Sequence, residues 1–179
     1  VGMPGFELQG NGAASQPAPA PTLAPAESGL PELHAKAAPE APTLDGTLEA
    51  LWKSAPASRF DTDTHGDPGG PATTVQALWT KDALYMAWQL EGAGLNVDTT
   101  RPTDVEREGL YKEDCVELFL APKPDQRGHY YEIELGPFGH YFDLDVDKDK
   151  KTSDIKWSSG VVLATTRDPA AHRAIIEAK

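Results

Sequence analysis

Two stretches, Asp114-Cys-Val-Glu-Leu-Phe-Leu120 and His129-Tyr-Tyr-Glu-Ile-Glu-Leu135, decide the fold class of this chain. Each alternates apolar with polar side chains, which is the pattern of a β-strand that buries one face. The Pro- and Gly-bearing turn at residues 121–128 joins them, so we expect neighbouring antiparallel strands. Because successive side chains of a strand point to opposite faces, one set should face the core. That set comprises Val116, Leu118, Tyr131, Ile133 and Leu135.

The rest of the chain after residue 43 has the same β character. Residues 74–80 and 83–90 flank the short polar pair Lys81-Asp82, which predicts a hairpin. Only Leu48–Lys53 has a helical pattern, one or two turns long. Short strands separated by turns at near-regular spacing predict an all-β, antiparallel β-sandwich. Its remaining strands are expected at residues 140–146, 161–166 and 173–177, with a candidate first strand near Leu33 to Ala38.

The N-terminal segment differs sharply in composition from this domain. Residues 1–43 hold 8 of the 16 prolines and a single aromatic residue, Phe6. Alternating Pro and small residues favour an extended spacer that buries too little apolar surface to fold. We therefore divide the chain into a disordered Pro/Ala-rich linker or tail, residues 1–32, and a sandwich domain, residues 33–179. The linker is either a tether to a membrane anchor or preceding domain, or a tail without function.

Charge and composition exclude several classes of protein. The formal net charge is −12, whereas nucleic acids and anionic membranes require a basic surface. A transmembrane helix needs about 20 consecutive apolar residues, and no run approaches that length. The single cysteine, Cys115, excludes an intrachain disulfide and any multi-cysteine metal site.

The strand faces that point away from the core carry a pattern suited to a sugar. Three acids, Glu117, Glu132 and Glu134, share that face with aromatic residues. Sugar rings present an apolar face for stacking and hydroxyls for charge-assisted hydrogen bonds. The aromatic residues of this face are Tyr130 and Phe119. The alternative to a sugar site is a solvated face whose acids only keep the protein soluble.

Four motifs, in order along the chain, are similar to those of one known family. Leu44-Asp-Gly-Thr-Leu-Glu-Ala-Leu-Trp52 and Asp82-Ala-Leu-Tyr-Met-Ala-Trp88 come first. Lys112-Glu-Asp-Cys-Val-Glu-Leu-Phe-Leu-Ala-Pro122 and Tyr130-Tyr-Glu-Ile-Glu-Leu-Gly-Pro137 follow, and then Gly139 and Asp143. Together they resemble the family 9 carbohydrate-binding modules over roughly residues 33–179.

The resemblance implies a β-sandwich that binds sugars between aromatic side chains, with structural calcium in some members. By motif position it assigns the sugar platform to Tyr111, where well-studied binders have Trp. It also assigns sugar contacts to Glu117 and Glu134. At the position of Glu134 such binders have Arg. The family normally continues beyond the segment that residues 173–177 resemble. A sandwich ending there would expose an edge, so either closing strands are missing or another chain covers that edge.

Two groups of aspartates are candidate calcium ligands, because flexible oxygen-rich loops suit that ion. Asp143, Asp145 and Asp147 alternate along one predicted strand, but their spacing does not match an EF-hand. The second group, in a Gly-rich loop, comprises Asp61, Asp63 and Asp67. For both groups the alternative is a solvated acidic loop.

These observations lead to two functional hypotheses. The first is non-catalytic saccharide binding by an exported protein, periplasmic, cell-surface or extracellular. Tyr111 would stack on the ring, and Glu117 and Glu134 would accept hydroxyl hydrogen bonds. The second is a module that has lost sugar binding and joins a partner chain in a cell-envelope complex. A glycosidase is disfavoured, because acids on a flat sheet lack the apolar pocket that raises the pKa of a catalytic acid.

Overall fold

The computed structural model of the protein describes residues 32–63, 65–92, 95–123 and 125–179. The linker predicted over residues 1–32 therefore lies outside the described residues, apart from its last position. The described part contains two 3-10 turns, Trp52–Ser54 and Leu110–Lys112. Its strands are β1 Lys36–Ala37, β2 Ala57–Thr62, β3 Pro68–Trp79, β4 Leu84–Glu91, β5 Val116–Leu120, β6 His129–Leu135, β7 Tyr141–Asp147, β8 Thr152–Asp154, β9 Leu163–Asp168 and β10 Arg173–Ala178.

The strands form two sheets, and all pairs but one are antiparallel. The first sheet has the order β1-β3-β4-β10-β9, and β2 also pairs with β3. The second sheet has the order β5-β6-β7-β8. The one parallel pair joins the two-residue β1 to the end of β3. The predicted all-β, antiparallel architecture is confirmed, including the hairpin at Lys81-Asp82 that joins β3 to β4.

The main core lies between the inner faces of the two sheets. The register sets Val116 opposite Leu135 and Leu118 opposite Ile133, so both strands point the same side chains inward, as predicted. Burial of such side chains contributes roughly 25 cal/mol per Å² of apolar surface removed from water. The buried members from both sheets are Val75, Ala77, Met86, Trp88, Leu90, Val116, Ile133, Leu135, Ala174, Ile176 and Ala178.

A second apolar cluster covers the outer face of the first sheet. Trp52, in the first 3-10 turn, is 1% exposed and packs with Leu78 of β3 and Tyr85 of β4. Leu44 and Leu48 pack against this cluster from the segment that leads into the turn. The helical pattern predicted for Leu48–Lys53 therefore corresponds to a turn that packs across a sheet. The residues after Leu44 act as a third layer of the fold.

The structure differs from the sequence prediction at particular strands. β2 and β8 were not predicted, because neither segment alternates clearly between apolar and polar side chains. The last strand, β10, is not an exposed edge, since it pairs with β4 on one side and β9 on the other. No helix among the described residues has the length and apolar content needed to cross a membrane.

Candidate functional site

A cleft of about 390 Å³ lies beside β5, the edge strand of the second sheet. Its opposite wall comes from the end of β2 and the start of β3 in the first sheet. Three aromatic side chains line it: Tyr111 is 58% exposed, Phe119 53% and Phe60 39%. Exposed aromatic residues that converge on one concavity form a surface on which a flat apolar ring can pack.

The second 3-10 turn, Leu110–Lys112, positions Tyr111. Gly109 precedes this turn with a φ of 82°, a left-handed conformation that glycine adopts at little cost. Leu110 is fully buried and anchors the turn, whereas the next side chain, Tyr111, points outward. The backbone N–H of Tyr111 donates to Oε2 of Glu134 at 2.8 Å. The turn is therefore held to β6 at the residue that carries the exposed aromatic ring.

An ion pair fastens the loop that carries Tyr111. Arg107 is only 7% exposed, and its guanidinium pairs with the carboxylate of Glu113 and hydrogen-bonds to the carbonyl of Asp98. Glu113 in turn accepts the backbone N–H of Asp98 at 2.7 Å. The backbone N–H of Arg107 donates to the carbonyl of Tyr141 in β7 at 2.8 Å. These contacts join the two ends of the loop to each other and bind the loop to the second sheet.

The register brings together the acids that the sequence placed on one face. Glu117 of β5 lies opposite Glu134 of β6, and Phe119 lies opposite Glu132. Burial raises the pKa of Glu117. Burial also raises the pKa of Glu134 to about 7, against the effect of the Tyr111 N–H and with added repulsion from Glu117 and Glu132. Three carboxyl groups thus share a confined part of the sheet.

The five predicted sugar contacts do not all reach the cleft. Tyr111 and Glu117 line it. Glu134 is 1% exposed and accepts the backbone N–H of Tyr111, so its carboxylate holds the turn that carries the aromatic ring. Tyr130 lines a neighbouring concavity, and Glu132 lies beside it on the same strand and face. Phe119 lines both concavities and connects them.

The predicted calcium ligands are engaged separately. Asp143 is fully buried and accepts the backbone N–H of Ser159 at 2.9 Å. Asp145 bonds to His129, and Asp147 to Lys150. Among residues 32–63, 65–92, 95–123 and 125–179 no three His, Cys, Asp or Glu side chains form a group that could hold a metal ion. The aspartates do not fit one calcium site here, and calcium binding stays a prediction without structural support.

Sequence reasoning missed much of the cleft. Phe60 and Asp63 line it from β2 and the following turn, a strand that the sequence did not predict. Phe60 is the only large apolar residue in β2, so the segment carried almost no periodic signal. Glu113 and Asp114, which also line the cleft, were noted only as part of the acidic motif. A single exposed phenylalanine between polar residues was the one available clue.

One premise used against a glycosidase is wrong. No apolar surrounding was expected to raise the pKa of an acid on this face, yet burial raises the pKa of Glu134 to about 7. This carboxyl group is nevertheless buried and bonded to the Tyr111 backbone, so it does not reach the cleft. Burial, and then the nearby acids, also raise the pKa of the Cys115 thiol to about 12, which disfavours its nucleophilic thiolate form.

Comparison with known proteins places these features in a family. The family model described as carbohydrate family 9 binding domain-like matches residues 44–179. That match covers more than half of the chain and includes all four motifs that suggested the resemblance. No curated protein matches the chain. The chain therefore belongs to the carbohydrate family 9 binding domain-like family, with its cleft beside the motif strand β5.

Proposed function

We propose that this domain is a non-catalytic carbohydrate-binding module of an exported protein and that it binds a saccharide in the cleft beside β5. The observation that carries the proposal is the exposed Tyr111, held over an open cleft by the buried Glu134. Family membership supports the ligand class, because the matched family is named for carbohydrate binding. Export fits this role, since the polysaccharides that such modules bind lie outside the cytoplasm.

The proposed contacts follow from the chemistry of a sugar ring. The apolar face of the ring packs on Tyr111, and Phe60 and Phe119 exclude water from its edges. The Glu117 carboxylate accepts hydrogen bonds from ring hydroxyls, which are stronger with a charged acceptor than with a neutral one. Glu134 acts indirectly, because its hydrogen bond fixes the backbone of Tyr111.

A non-catalytic role agrees with the placement of the acids. Hydrolysis of a glycoside needs two carboxyl groups that flank the bond to be cleaved. In this structure Glu117 opens to the cleft, but its cross-strand partner Glu134 is 1% exposed beneath the turn. That pair therefore supplies one carboxylate to a bound sugar. Of the other acids that line the cleft, Glu113 pairs with Arg107, and Asp63 and Asp114 accept backbone N–H groups, which suits recognition of a sugar better than its cleavage.

Replacing Tyr111 with alanine is expected to weaken saccharide binding at least about tenfold, because burying one aromatic platform contributes roughly 1.5–3 kcal/mol. Isothermal titration against mono- and oligosaccharides, with and without calcium, measures this change. Trp79→Ala is the matched control, since Trp79 is an aromatic residue 47% exposed on β3 that does not line the cleft. The control variant should bind like the parent.

Two outcomes would contradict the proposal. The first is no binding to any sugar of the panel by a protein shown to be folded. That result would favour the assembly-module hypothesis, which sedimentation would then test through the oligomeric state. The second is binding that Tyr111→Ala and Trp79→Ala weaken equally, because this would place the sugar outside the cleft.

A further inference from the structure

A shallow concavity of about 410 Å³ lies next to the cleft on the outer face of the second sheet. We name it the basic shelf; its residues are Phe119, Ala121, Arg127, Tyr130 and Lys148. The rings of Phe119 and Tyr130, on adjacent strands, have centroids 5.8 Å apart at an angle of 59°. Lys148 Nζ lies 5.1 Å from the centroid of the Tyr130 ring. The shelf thus combines an aromatic pair with two cationic side chains.

The two cations come from different turns that are fastened together. Arg127 lies in the turn between β5 and β6, and Lys148 directly follows β7. The backbone N–H of Lys148 donates to the carbonyl of Gly128 at 2.8 Å, which joins the two turns. Both cationic side chains therefore rise at the same end of the sheet, beside the exposed ring of Phe119.

The charge of the shelf is unusual for this molecule. The chain has a formal net charge of −12. Four acids line the adjacent cleft, where no Lys, Arg or His is found among the described residues. The four acids of the cleft are Asp63, Glu113, Asp114 and Glu117. Within the same described part, Arg127 and Lys148 have no acidic partner within the 4.0 Å that defines an ion pair, although both are exposed.

One carboxylate faces the shelf from the sheet and opposes anion binding. Glu132 lies opposite Phe119 on β6. Burial and then Glu117 raise the pKa of Glu132, whereas Lys148 acts in the opposite direction. Lys148 therefore partly neutralises this acid, and the guanidinium of Arg127 stays available to a ligand. Arg presents a planar fork of donors that matches a carboxylate in two-point contact.

We propose that the basic shelf is a second subsite, which takes a uronic acid unit of a glycan whose neighbouring unit occupies the cleft. This inference rests on the proposed function. Phe119 lines both concavities, so consecutive units of one chain can lie on either side of it. The uronate ring packs on Phe119, and its carboxylate accepts hydrogen bonds from Arg127 and Lys148. The preferred ligand class is therefore an acidic oligosaccharide.

The test compares uronic acid oligosaccharides with their methyl esters, because esterification removes the charge and keeps the rings and linkages. Oligomers of galacturonic, glucuronic and mannuronic acid are titrated in both forms. We expect the acid form of at least one to bind about tenfold tighter than its ester, since hydrogen bonds to a charged acceptor are stronger than those to a neutral one. The double variant Arg127→Ala/Lys148→Ala should lose this preference and still bind the ester.

Controls separate the shelf from the cleft. Lys81→Ala, which removes an exposed cation at the β3–β4 hairpin, should keep the preference for the acid form. Tyr111→Ala should weaken both forms. Equal binding of acid and ester, tighter binding of the ester, or a preference that survives the double variant would overturn the shelf and leave the proposed function standing. Absence of binding to every sugar, charged or neutral, would overturn the proposed function and the shelf with it.

Discussion

Replacing Glu177 with alanine is expected to lower the free energy of unfolding by about 4 kcal/mol, since three donors, two of them buried, would lose their acceptor. Glu177 of β10 is fully buried on the outer face of the first sheet. Its Oε2 accepts the backbone N–H of Gly46 at 2.7 Å and that of Asp45 at 3.2 Å. Its Oε1 accepts Nε1–H of Trp52 at 3.0 Å. A loss of this size is a large part of the stability of a typical domain, about 5–15 kcal/mol.

Urea denaturation followed by tryptophan fluorescence measures this loss. Glu91→Ala is the matched control, because Glu91 lies on the neighbouring β4 and is exposed, with an ion pair to Arg59 at 3.6 Å. Exposed pairs of this kind contribute little, so the control should stay within about 0.5 kcal/mol of the parent. A loss below about 1 kcal/mol in Glu177→Ala would show that this carboxylate does not anchor the third layer.

The same contacts give a physical meaning to the Leu44-Asp-Gly46 motif. Gly46 has a φ of +78°, and a Cβ added there would lie 2.5 Å from Cγ2 of Thr166. The hydroxyl of Thr166 donates to the carbonyl of Gly46 at 2.6 Å. Close approach to β9 and the hydrogen bonds to Glu177 together require glycine at this turn. The motif was visible in the sequence, but its partner lies 131 positions away in the chain.

The predictable part of the fold was the part governed by local periodicity. β5 and β6 alternate cleanly, so the sequence assigned their faces correctly and placed Glu117 and Glu134 on the same side. β2 was missed because Phe60 is its only large apolar residue. This segment is a strand because it pairs with β3, and no local pattern in Ala57–Thr62 predicts that pairing.

The candidate site was only partly predictable, for a related reason. Alternation placed Glu134 on the face away from the core and therefore suggested contact with solvent. The loop before β5 folds back onto that face, where the N–H of Tyr111 binds the carboxylate of Glu134, which is 1% exposed. The position of this loop depends on Arg107, whose partners Asp98 and Glu113 lie on either side of it in the loop. Such pairings fall outside any periodic pattern.

The burial of Glu134 predicts that the domain becomes less stable as the pH rises from about 5 to about 7.5. The pKa of this carboxyl group is raised from 4.5 to about 7 in the folded state, first by burial. Between these values the folded protein keeps a proton that the unfolded chain has released. Stability therefore falls with rising pH, by up to about 1.4 kcal/mol per unit, and levels off above the folded pKa. Burial shifts the pKa of Glu117 and of Glu132 in the same direction.

Thermal unfolding at about pH 5 and about pH 7.5 measures this slope, and Glu134→Gln identifies its source. The glutamine carbonyl can still accept the N–H of Tyr111, but it carries no charge. We expect this variant to lose most of the pH dependence and to be about 2 kcal/mol more stable than the parent at the higher pH. Glu91→Gln, an exposed control, should keep the slope of the parent. Stability that rises with pH, or a slope unchanged in Glu134→Gln, would contradict the buried carboxyl group as the origin. If sugar binding survives in Glu134→Gln, the hydrogen bond to Tyr111, and not the charge, positions the platform.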